Sequence, residues 1–448
     1  MTYLLRMVGT VIAQDRIITH DDLDFLEQMT LDVLNSSRIF PGQKLPDPFG
    51  VNSTGGVLIR PGGRDTYPAF WIRDYAMSLE TGMMNREEQR HMLLLTAKTQ
   101  CDQTRITKGE NAIVPTGAIA DHIRVENSVP IYYPGTYDDD EQGSKDSQYG
   151  LFPPYCDQFF FIHMAKCYVQ KTSDTKILLQ KINGVSLIDR LELAFKVPPV
   201  RNSSPLVFTT EAFAGVDFGF RDAIFITGDL CFASLLKYRA ALELSELFGK
   251  TKHKEKAAIY KDIATQIKTV LPGTFANTDG MLCASTGKSR QADVWSTALA
   301  VYWDILEGDA MIKACNHLAK AYAGKKLSYK GNIRHIIMGE DFNQSTAWET
   351  AKAPVNTYQN GAYWGTPTGW VAYAISKVNM EYAQQLAKEF VDDLRENDYR
   401  KGENYHAPYE CFSPPSYTRG PIYLTTVSCP YIVFKSSYQS SIVTPRKK

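Results

Sequence analysis

Apolar side chains recur at helical spacing over much of this 448-residue chain. Leu235, Tyr238 and Leu242 mark one such face, and Gly249 beyond them is a typical helix stop. The same spacing recurs in several further segments: Ile259, Ile263 and Ile267; Tyr382, Leu386, Phe390 and Leu394; and the ranges 157–170, 291–307 and 311–323. These patterns predict amphipathic helices.

Alternation of apolar and polar positions, the pattern of a half-buried β-strand, is rare in the chain. The tail near 421–435 is the segment where we predict strand structure. The chain shows no internal repeat of the solenoid type, no Ser/Gly-rich linker and no block of like charge. The sequence therefore predicts a mostly α-helical protein built as one large domain.

Four long loops between the predicted helices share an unusual composition. They combine Tyr and Trp with Gly and Pro and carry single acids and arginines. These loops cover 59–68, 131–154, 358–369 and 406–421. A helical scaffold with aromatic loops that converge at one end is typical of an enzyme rather than of a structural bundle.

Charge and composition narrow the choice of partner. The chain carries 49 basic and 49 acidic side chains, and this neutral balance argues against nucleic acid or a charged membrane surface. The segment 1–15 is weakly apolar but is interrupted by Arg6, and we interpret it as structure or a trimmed leader. No later segment approaches the ~20 apolar residues that cross a bilayer. We therefore expect a soluble protein of the cytoplasm or periplasm.

Cysteine and histidine spacing gives no metal-site pattern. The eight cysteines form no Cys-x-x-Cys pair, and the eight histidines show neither H-E-x-x-H nor His-x-His spacing. Scattered thiols in a chain of this length are most often small buried hydrophobes. We therefore expect neither a metal nor another cofactor.

The segment 68–82, PAFWIRDYAMSLETG, places an indole, a guanidinium and a carboxylate side by side at Trp71, Arg73 and Asp74. A sugar ring has flat C–H faces and a rim of hydroxyls, so a carbohydrate pocket needs aromatic platforms and charged groups that make forked hydrogen bonds. These three residues supply both. The alternative is a structural Arg73–Asp74 pair at the start of a helix.

Five segments, in order along most of the chain, resemble signature stretches of trehalases. PGGRDTYPAFWIRDY (61–75) is similar to their first signature and YWGTPTGW (363–370) to their second. AIVPTG (112–117) and QYGLFPP (148–154) are similar to the intervening loops. GVDFGFRD (215–222) resembles the segment that holds the general acid of the family.

Trehalases are six-hairpin glycosidases, so the resemblance implies an all-α (α/α)6 barrel with minor β structure and long loops at the active-site end. It implies one catalytic domain over 1–448, with 1–50 as lead-in helices and 421–448 as a C-terminal extension. It also implies inverting hydrolysis of a small carbohydrate substrate by two carboxyl groups about 6.5–9.5 Å apart. One group protonates the leaving oxygen and the other activates water on the opposite face of the ring.

The same resemblance implies Asp217 as the general acid, because it occupies the family's position in GVDFGFRD. Its apolar neighbours would raise the pKa of the carboxyl and keep it protonated. Asp222 is the local alternative, with an ion pair to Arg221 as its structural role. Glu410 is implied as the base, in an aromatic, Pro-bounded loop after the second signature. Glu403 is the alternative base, but it lies in a polar run and is expected to face water.

Substrate contacts are implied for eight residues. Some match trehalase positions that contact glucose, and the W-x-R-D form of 71–74 is similar to other six-hairpin glycosidases in which the acid accepts bonds from sugar hydroxyls. The predicted set is Arg64, Trp71, Arg73, Asp74, Gln148, Arg221, Tyr363 and Trp364. A further group belongs either to the pocket rim or to the core: Trp295, Trp348 and Glu349.

Departures from trehalases concern the second sugar. The aspartate that precedes Pro367 in the second signature is missing, and the Arg-Pro-rich segment that holds the second glucose has no counterpart. We therefore predict an exo-acting glycosidase for an α-linked, glucoside-like substrate that need not be trehalose. The alternatives are an epimerase, a phosphorylase or an unsaturated-uronide hydrolase on the same barrel, a non-hydrolytic carbohydrate-binding protein, and a helical scaffold protein.

Overall fold

The computed structural model describes residues 16–63, 66–106, 113–132, 153–211, 215–288 and 290–443. Twelve α-helices lie in this described part of the chain. Their bounds are α1 His20–Ser37, α2 Ile72–Ser78, α3 Arg86–Lys98, α4 Tyr155–Thr172, α5 Leu187–Phe195, α6 Cys231–Lys250, α7 Lys254–Phe275, α8 Val294–Tyr302, α9 Gly308–Ala323, α10 Thr368–Ser376, α11 Met380–Glu396 and α12 Leu424–Val443.

The helices form two concentric rings. The even-numbered helices α2, α4, α6, α8, α10 and α12 contact one another in sequence, and α12 returns to α2, so they close an inner ring. The odd-numbered helices lie outside and pack against inner neighbours, for example α7 against α6 and α11 against α10. The predicted all-α (α/α)6 barrel is confirmed.

Residue patterns follow the position of each helix in the rings. Outer helix α11 turns one stripe inward, which includes Leu386, Phe390 and Leu394, and exposes polar residues on its other face. Inner helix α8 has neighbours on most sides, and every residue from 294 to 301 is buried. Periodicity therefore reveals the outer helices more directly, and the helix predicted over 291–307 is shorter in the structure.

Short strands occupy the connections between helices and pair into small antiparallel sheets. Their bounds are β1 Arg38–Ile39, β2 Leu58–Ile59, β3 Ala69–Trp71, β4 Arg105–Ile106, β5 Ile113–Val114, β6 His122–Arg124, β7 Pro130–Ile131, β8 Lys181–Ile182, β9 Val185–Ser186, β10 Val200–Arg201, β11 Ser204–Thr209, β12 Ile224–Phe225, β13 Gly228–Asp229, β14 Ser328–Tyr329, β15 Asn332–Ile333, β16 Thr350–Ala351, β17 Tyr409–Ser413 and β18 Tyr417–Pro421. The β3–β6 pair and the β17–β18 hairpin carry residues of the candidate site.

The strand predicted near 421–435 is wrong. Helix α12 covers most of this segment, although Pro430 lies inside it. Thr425, Thr426 and Val427 are β-branched and favour a strand locally. The helix nevertheless packs against α1, α2 and α10, and burial on three sides outweighs that local preference. This segment, which was expected as an extension, supplies the sixth inner helix.

All inner helices begin at the same end of the barrel, because consecutive helices run in opposite directions around the rings. The residues directly before five of them are Trp71, Pro154, Leu230, Asp293 and Pro367. The connections rich in aromatic residues collect at this end. Within the described ranges, no helix has an apolar stretch long enough to cross a membrane.

Candidate active site

A cavity of about 140 Å³ opens at the end of the barrel where the inner helices begin. Its wall combines the β3–α2 junction, the turn after the short helix Gly219–Arg221, and the β17–β18 hairpin. The lining residues are Pro61, Tyr67, Trp71, Arg73, Asp74, Asp121, Phe220, Asp222, Tyr358, Glu410, Arg419 and Tyr423.

Trp71 supplies an aromatic wall of the cavity. It ends β3, and strand register sets it opposite His122 of β6, so that the two rings stack with centroids 4.2 Å apart. The ring of Tyr67 meets the indole edge to face, with ring centroids 5.3 Å apart. Tyr67 also has a left-handed backbone, with φ of 53°, a strained conformation that is enriched at functional positions. Both rings are therefore held in fixed orientations.

Arg73 lies in the first turn of α2 and is buried among three carboxylates. It forms ion pairs with Asp121, with Asp157 at 3.6 Å and with Asp74 at 3.8 Å. Burial opposes ionisation of Asp121, but Arg73 and His122 outweigh it and lower the pKa of Asp121 to about 2. Arg73 is therefore a fixed positive charge that orders the acids around it.

Asp74 retains a free acceptor next to the cavity. The Tyr423 hydroxyl donates a 2.6 Å hydrogen bond to Asp74 Oδ1, whereas Oδ2 accepts none from the described residues. Burial raises the pKa of Asp74 to about 6, against the influence of Arg73 and Tyr423. A buried carboxyl group with a free oxygen is suited to bind a substrate hydroxyl.

Glu410 projects from β17 and is almost fully buried. The Tyr67 hydroxyl donates to its Oε2 at 2.5 Å, and Arg419 Nε donates to the same oxygen at 3.2 Å. Oε1 makes no hydrogen bond within the described ranges. Burial raises the pKa of Glu410 to about 7, although Arg419 and Tyr67 favour the ionised form and oppose the rise.

Asp222 reaches the same cavity from the turn after Gly219–Arg221. Gln359 Nε2 donates to its Oδ1 at 2.7 Å, and the Tyr358 hydroxyl lies 3.4 Å from that oxygen. Its Oδ2 has no hydrogen bond with the described residues. Burial raises the pKa of Asp222, against the influence of Arg73 and Gln359. Three carboxyl groups with raised pKa and one unbonded oxygen each therefore face one cavity: those of Asp74, Asp222 and Glu410.

Asp217, the residue predicted as the acid, does not line this cavity. Its carboxylate is buried 3.3 Å from Arg221 Nη1, and Arg221 Nη2 bonds Asp293 at 2.5 Å. Burial raises the pKa of Asp217 to about 6, against the attraction of Arg221. The predicted apolar environment exists, but it encloses an ion pair. Arg221 likewise lies outside the cavity, and its partners are Asp217 and Asp293 rather than Asp222.

Tyr363 and Trp364 also do not line the cavity. Trp364 is fully buried and stacks at 5.7 Å on Phe220, which does line it, so Trp364 supports the floor from behind. Tyr363 lies beside Tyr329. The remaining candidates lie elsewhere: Trp295 and Trp348 in the core, Glu349 bonded to Thr227, and Glu403 exposed.

Arg64 and Gln148 lie outside the described residues, and their predicted roles stay predictions. Five lining residues with polar side-chain groups escaped the sequence prediction: Tyr67, Asp121, Tyr358, Arg419 and Tyr423. Three of them fall in the aromatic loops that the composition had marked, and that signal could have found them. Asp121 and Tyr423 come from segments without a distinguishing pattern.

His163 and His335 have their partners away from this cavity. His163 bonds Glu243 at 2.7 Å, and His335 stacks on Trp295 in the core. Among the described residues, no histidine lines the cavity, and no group of three or more His, Cys, Asp or Glu side chains is arranged to hold a metal ion.

No known protein-family model and no curated protein matches the sequence. Solved structures do match. A rhamnosidase from Klebsiella oxytoca with rhamnose bound gives a TM-score of 0.53 at 11% identity, over 94% of this chain and 64% of that one. A GH78 family rhamnosidase of Bacillus sp. GL1 gives a TM-score of 0.54 at 10% identity, over 93% of this chain and 35% of that one. The glucoamylase from Saccharomycopsis fibuligera gives a TM-score of 0.55 at 12% identity, over 94% of this chain and 95% of that one.

At 10–12% identity these likenesses establish the fold and nothing finer. The chain shares the (α/α)6 barrel of six-hairpin-type glycosidases. It spans less than two thirds of the length of either rhamnosidase. The closer resemblance to trehalases stays a prediction.

Proposed function

We propose that the chain is an exo-acting, inverting glycoside hydrolase in which Asp222 is the general acid and Glu410 the general base. One observation carries this proposal: both carboxyl groups line one small cavity with an aromatic wall, and burial raises the pKa of each. A pair of carboxyl groups in unlike environments is the requirement of this reaction.

The hydrogen-bond partners support the assignment of roles. Glu410 accepts from Tyr67 and from the cationic Arg419, which favour a carboxylate and hence a base. Asp222 accepts only from neutral groups. Because negative charge on either residue raises the pKa of the other, ionised Glu410 favours a protonated Asp222.

The mechanism follows from these roles. Asp222 donates its proton to the glycosidic oxygen as the bond to the anomeric carbon breaks, and Glu410 takes a proton from the water that attacks the opposite face. Trp71 offers a platform to the sugar ring, and Asp74 Oδ2 accepts from a ring hydroxyl. Arg73 keeps Asp74 and Asp121 in place.

The size and charge of the cavity favour a substrate that places one neutral, terminal sugar unit in the cavity. Drug-sized ligands occupy about 300–1,000 Å³, whereas this cavity of about 140 Å³ suits a single ring and hence exo action. Its wall contains four acids, Asp74, Asp121, Asp222 and Glu410, against two arginines. That excess of acids disfavours a uronate, and with it the unsaturated-uronide hydrolase alternative.

The test is hydrolysis of a panel of 4-nitrophenyl α- and β-glucosides and rhamnosides and of α-linked disaccharides, including trehalose. The panel includes rhamnosides because one structural neighbour has rhamnose bound, and glucosides because of the trehalase resemblance and the glucoamylase neighbour. We expect turnover of an α-linked member. Proton NMR during the first turnovers should show the β-anomer as the first product, since an inverting enzyme reverses the configuration. Release of the α-anomer would contradict inversion. If no member of the panel is hydrolysed, the proposal of hydrolysis is contradicted.

Replacement of Trp71 by Ala is expected to raise KM about tenfold, since an aromatic contact is worth roughly 0.5–1.5 kcal/mol beyond the area it buries. Trp71→Phe, which keeps a ring, should recover most of the affinity. Steady-state kinetics on the best panel substrate measure both. An unchanged KM in Trp71→Ala would remove the indole from the sugar site.

A further inference from the structure

A second and larger cavity lies at the opposite end of the barrel, where the inner helices end. It is open to solvent and has a volume of about 640 Å³. Its wall is built from α6, α10 and α12 and from residues at and beyond the ends of α2 and α8. We name it the C-terminal cavity, and its principal lining residues are Tyr238, Arg239, Tyr302, Trp303, Tyr373 and Lys377.

Four aromatic side chains form platforms in this wall. Tyr302 and Tyr373 meet edge to face with centroids 5.2 Å apart, and Tyr238 and Trp303 complete the set. All four are partly exposed, whereas Trp295 in the barrel core is fully buried. Rings that keep part of their surface open in a concave site offer flat apolar faces to a ligand.

Fixed donors accompany the aromatic rings. The Arg239 guanidinium bonds Glu80 at 2.7 Å and Glu243 at 3.1 Å, and it lies 5.1 Å over the Trp303 ring. Lys377 Nζ donates to the Tyr373 hydroxyl at 2.7 Å. These contacts orient the cationic groups along the wall before any ligand arrives.

One charged acceptor in the wall remains available. Asp304 has a left-handed backbone, with φ of 53°, and its carboxylate makes no hydrogen bond or ion pair with the residues that the structure describes. A ligand that brings its own hydroxyl donors would satisfy it.

The charges of the wall cancel, since Glu80 and Asp304 face Arg239 and Lys377. A balanced wall disfavours phosphates and polyanions. A cationic ligand is disfavoured as well, because Lys377 and Arg239 already lie over the rings of Tyr373 and Trp303. The ligand that remains is neutral and combines flat C–H faces with hydroxyl groups.

We propose that the C-terminal cavity is a second carbohydrate site, which binds a neutral oligosaccharide of two or three units without hydrolysing it. The volume of about 640 Å³ falls in the range of ligand pockets. Glu80 is committed to Arg239, so the wall does not offer the two unpaired carboxyl groups that hydrolysis requires. The site is independent of the catalytic assignment at the other end.

The experiment is isothermal titration calorimetry of the full chain with glucose, rhamnose, maltose and maltotriose, in the Glu410→Gln background so that no probe is consumed. We expect two binding events per chain with maltose or maltotriose. Trp303→Ala should weaken one event at least tenfold, and Trp71→Ala should weaken the other. Lys377→Ala removes an exposed side chain and guards against a folding defect; it should weaken the same event as Trp303→Ala. Tyr329→Ala, an exposed tyrosine outside both cavities, should change neither.

One binding event that only Trp71→Ala affects would overturn the inference, as would no binding of any probe. The catalytic proposal is tested separately, because Trp303→Ala with Glu410 intact should hydrolyse 4-nitrophenyl glycosides at the rate of the unmodified protein. If the chain hydrolyses nothing and the event sensitive to Trp303→Ala persists, the proposed function fails and this inference stands. If the chain hydrolyses a glycoside and no binding event is sensitive to Trp303→Ala, the proposed function stands and this inference fails.

Discussion

Replacement of Asp222 by Asn is expected to lower kcat about 10³-fold on a disaccharide substrate, since general acid catalysis contributes roughly 10²–10⁴-fold. The loss should be much smaller on a 4-nitrophenyl glycoside, because nitrophenolate leaves without protonation. Asn keeps the size of the side chain and an oxygen that can accept from Gln359, so the fold should survive. Comparison of kcat on the two substrates measures the effect.

The matched control is Asp217→Asn, in the same segment. Because burial raises the pKa of Asp217 to about 6 against the attraction of Arg221, the neutral Asn side chain should not reduce the free energy of unfolding at pH 8. The effect on kcat should be small and independent of the leaving group. If instead Asp217→Asn shows the dependence on leaving group and Asp222→Asn does not, the acid is Asp217, as the trehalase resemblance implied.

The sequence could not separate these two acids, because both stand in one apolar segment five residues apart. The choice depends on the short helix Gly219–Arg221, which turns the chain so that Asp217 points at Arg221 and Asp222 at the cavity. No periodic pattern encodes a single turn of that kind. The resemblance therefore marked the segment, and the structure places Asp222 rather than Asp217 at the cavity.

The fold was more accessible from the sequence than the complete site. Outer helices such as α11 have one apolar stripe, which periodicity detects. Inner helix α12 is packed on three sides and rich in β-branched residues, so its pattern resembles a strand. The motif 71–74 predicted the aromatic and charged wall of the cavity. Partners such as Asp121 and Tyr423 meet that wall only through long-range packing, which one sequence does not reveal.

Replacement of Glu410 by Gln is expected to lower kcat about 10³-fold on disaccharides and aryl glycosides alike, because the base activates water whatever the leaving group is. The matched control is Glu403→Gln, which changes an exposed glutamate a few residues earlier and should leave kcat unchanged. A Glu410→Gln variant with near-normal turnover would exclude this residue as the base.

The pH dependence makes the role of Glu410 testable in a second way. With its pKa raised to about 7, the base is protonated in more acidic solution, so kcat/KM of the unmodified protein should fall as pH drops below about 7.

The raised pKa of Glu410 also predicts how stability depends on pH. Between pH 4.5, the ordinary pKa of a glutamate, and about pH 7, the folded chain keeps this proton whereas the unfolded chain has released it. This contribution to stability is complete below the ordinary pKa and is lost as pH rises to about 7. Glu410→Gln should therefore raise the free energy of unfolding at pH 8 by about 1–2 kcal/mol relative to the unmodified protein, and by less at pH 5. A variant that is less stable than the unmodified protein at pH 8 would contradict the raised pKa and would mean that the Glu410 carboxylate stabilises the fold through Tyr67 and Arg419.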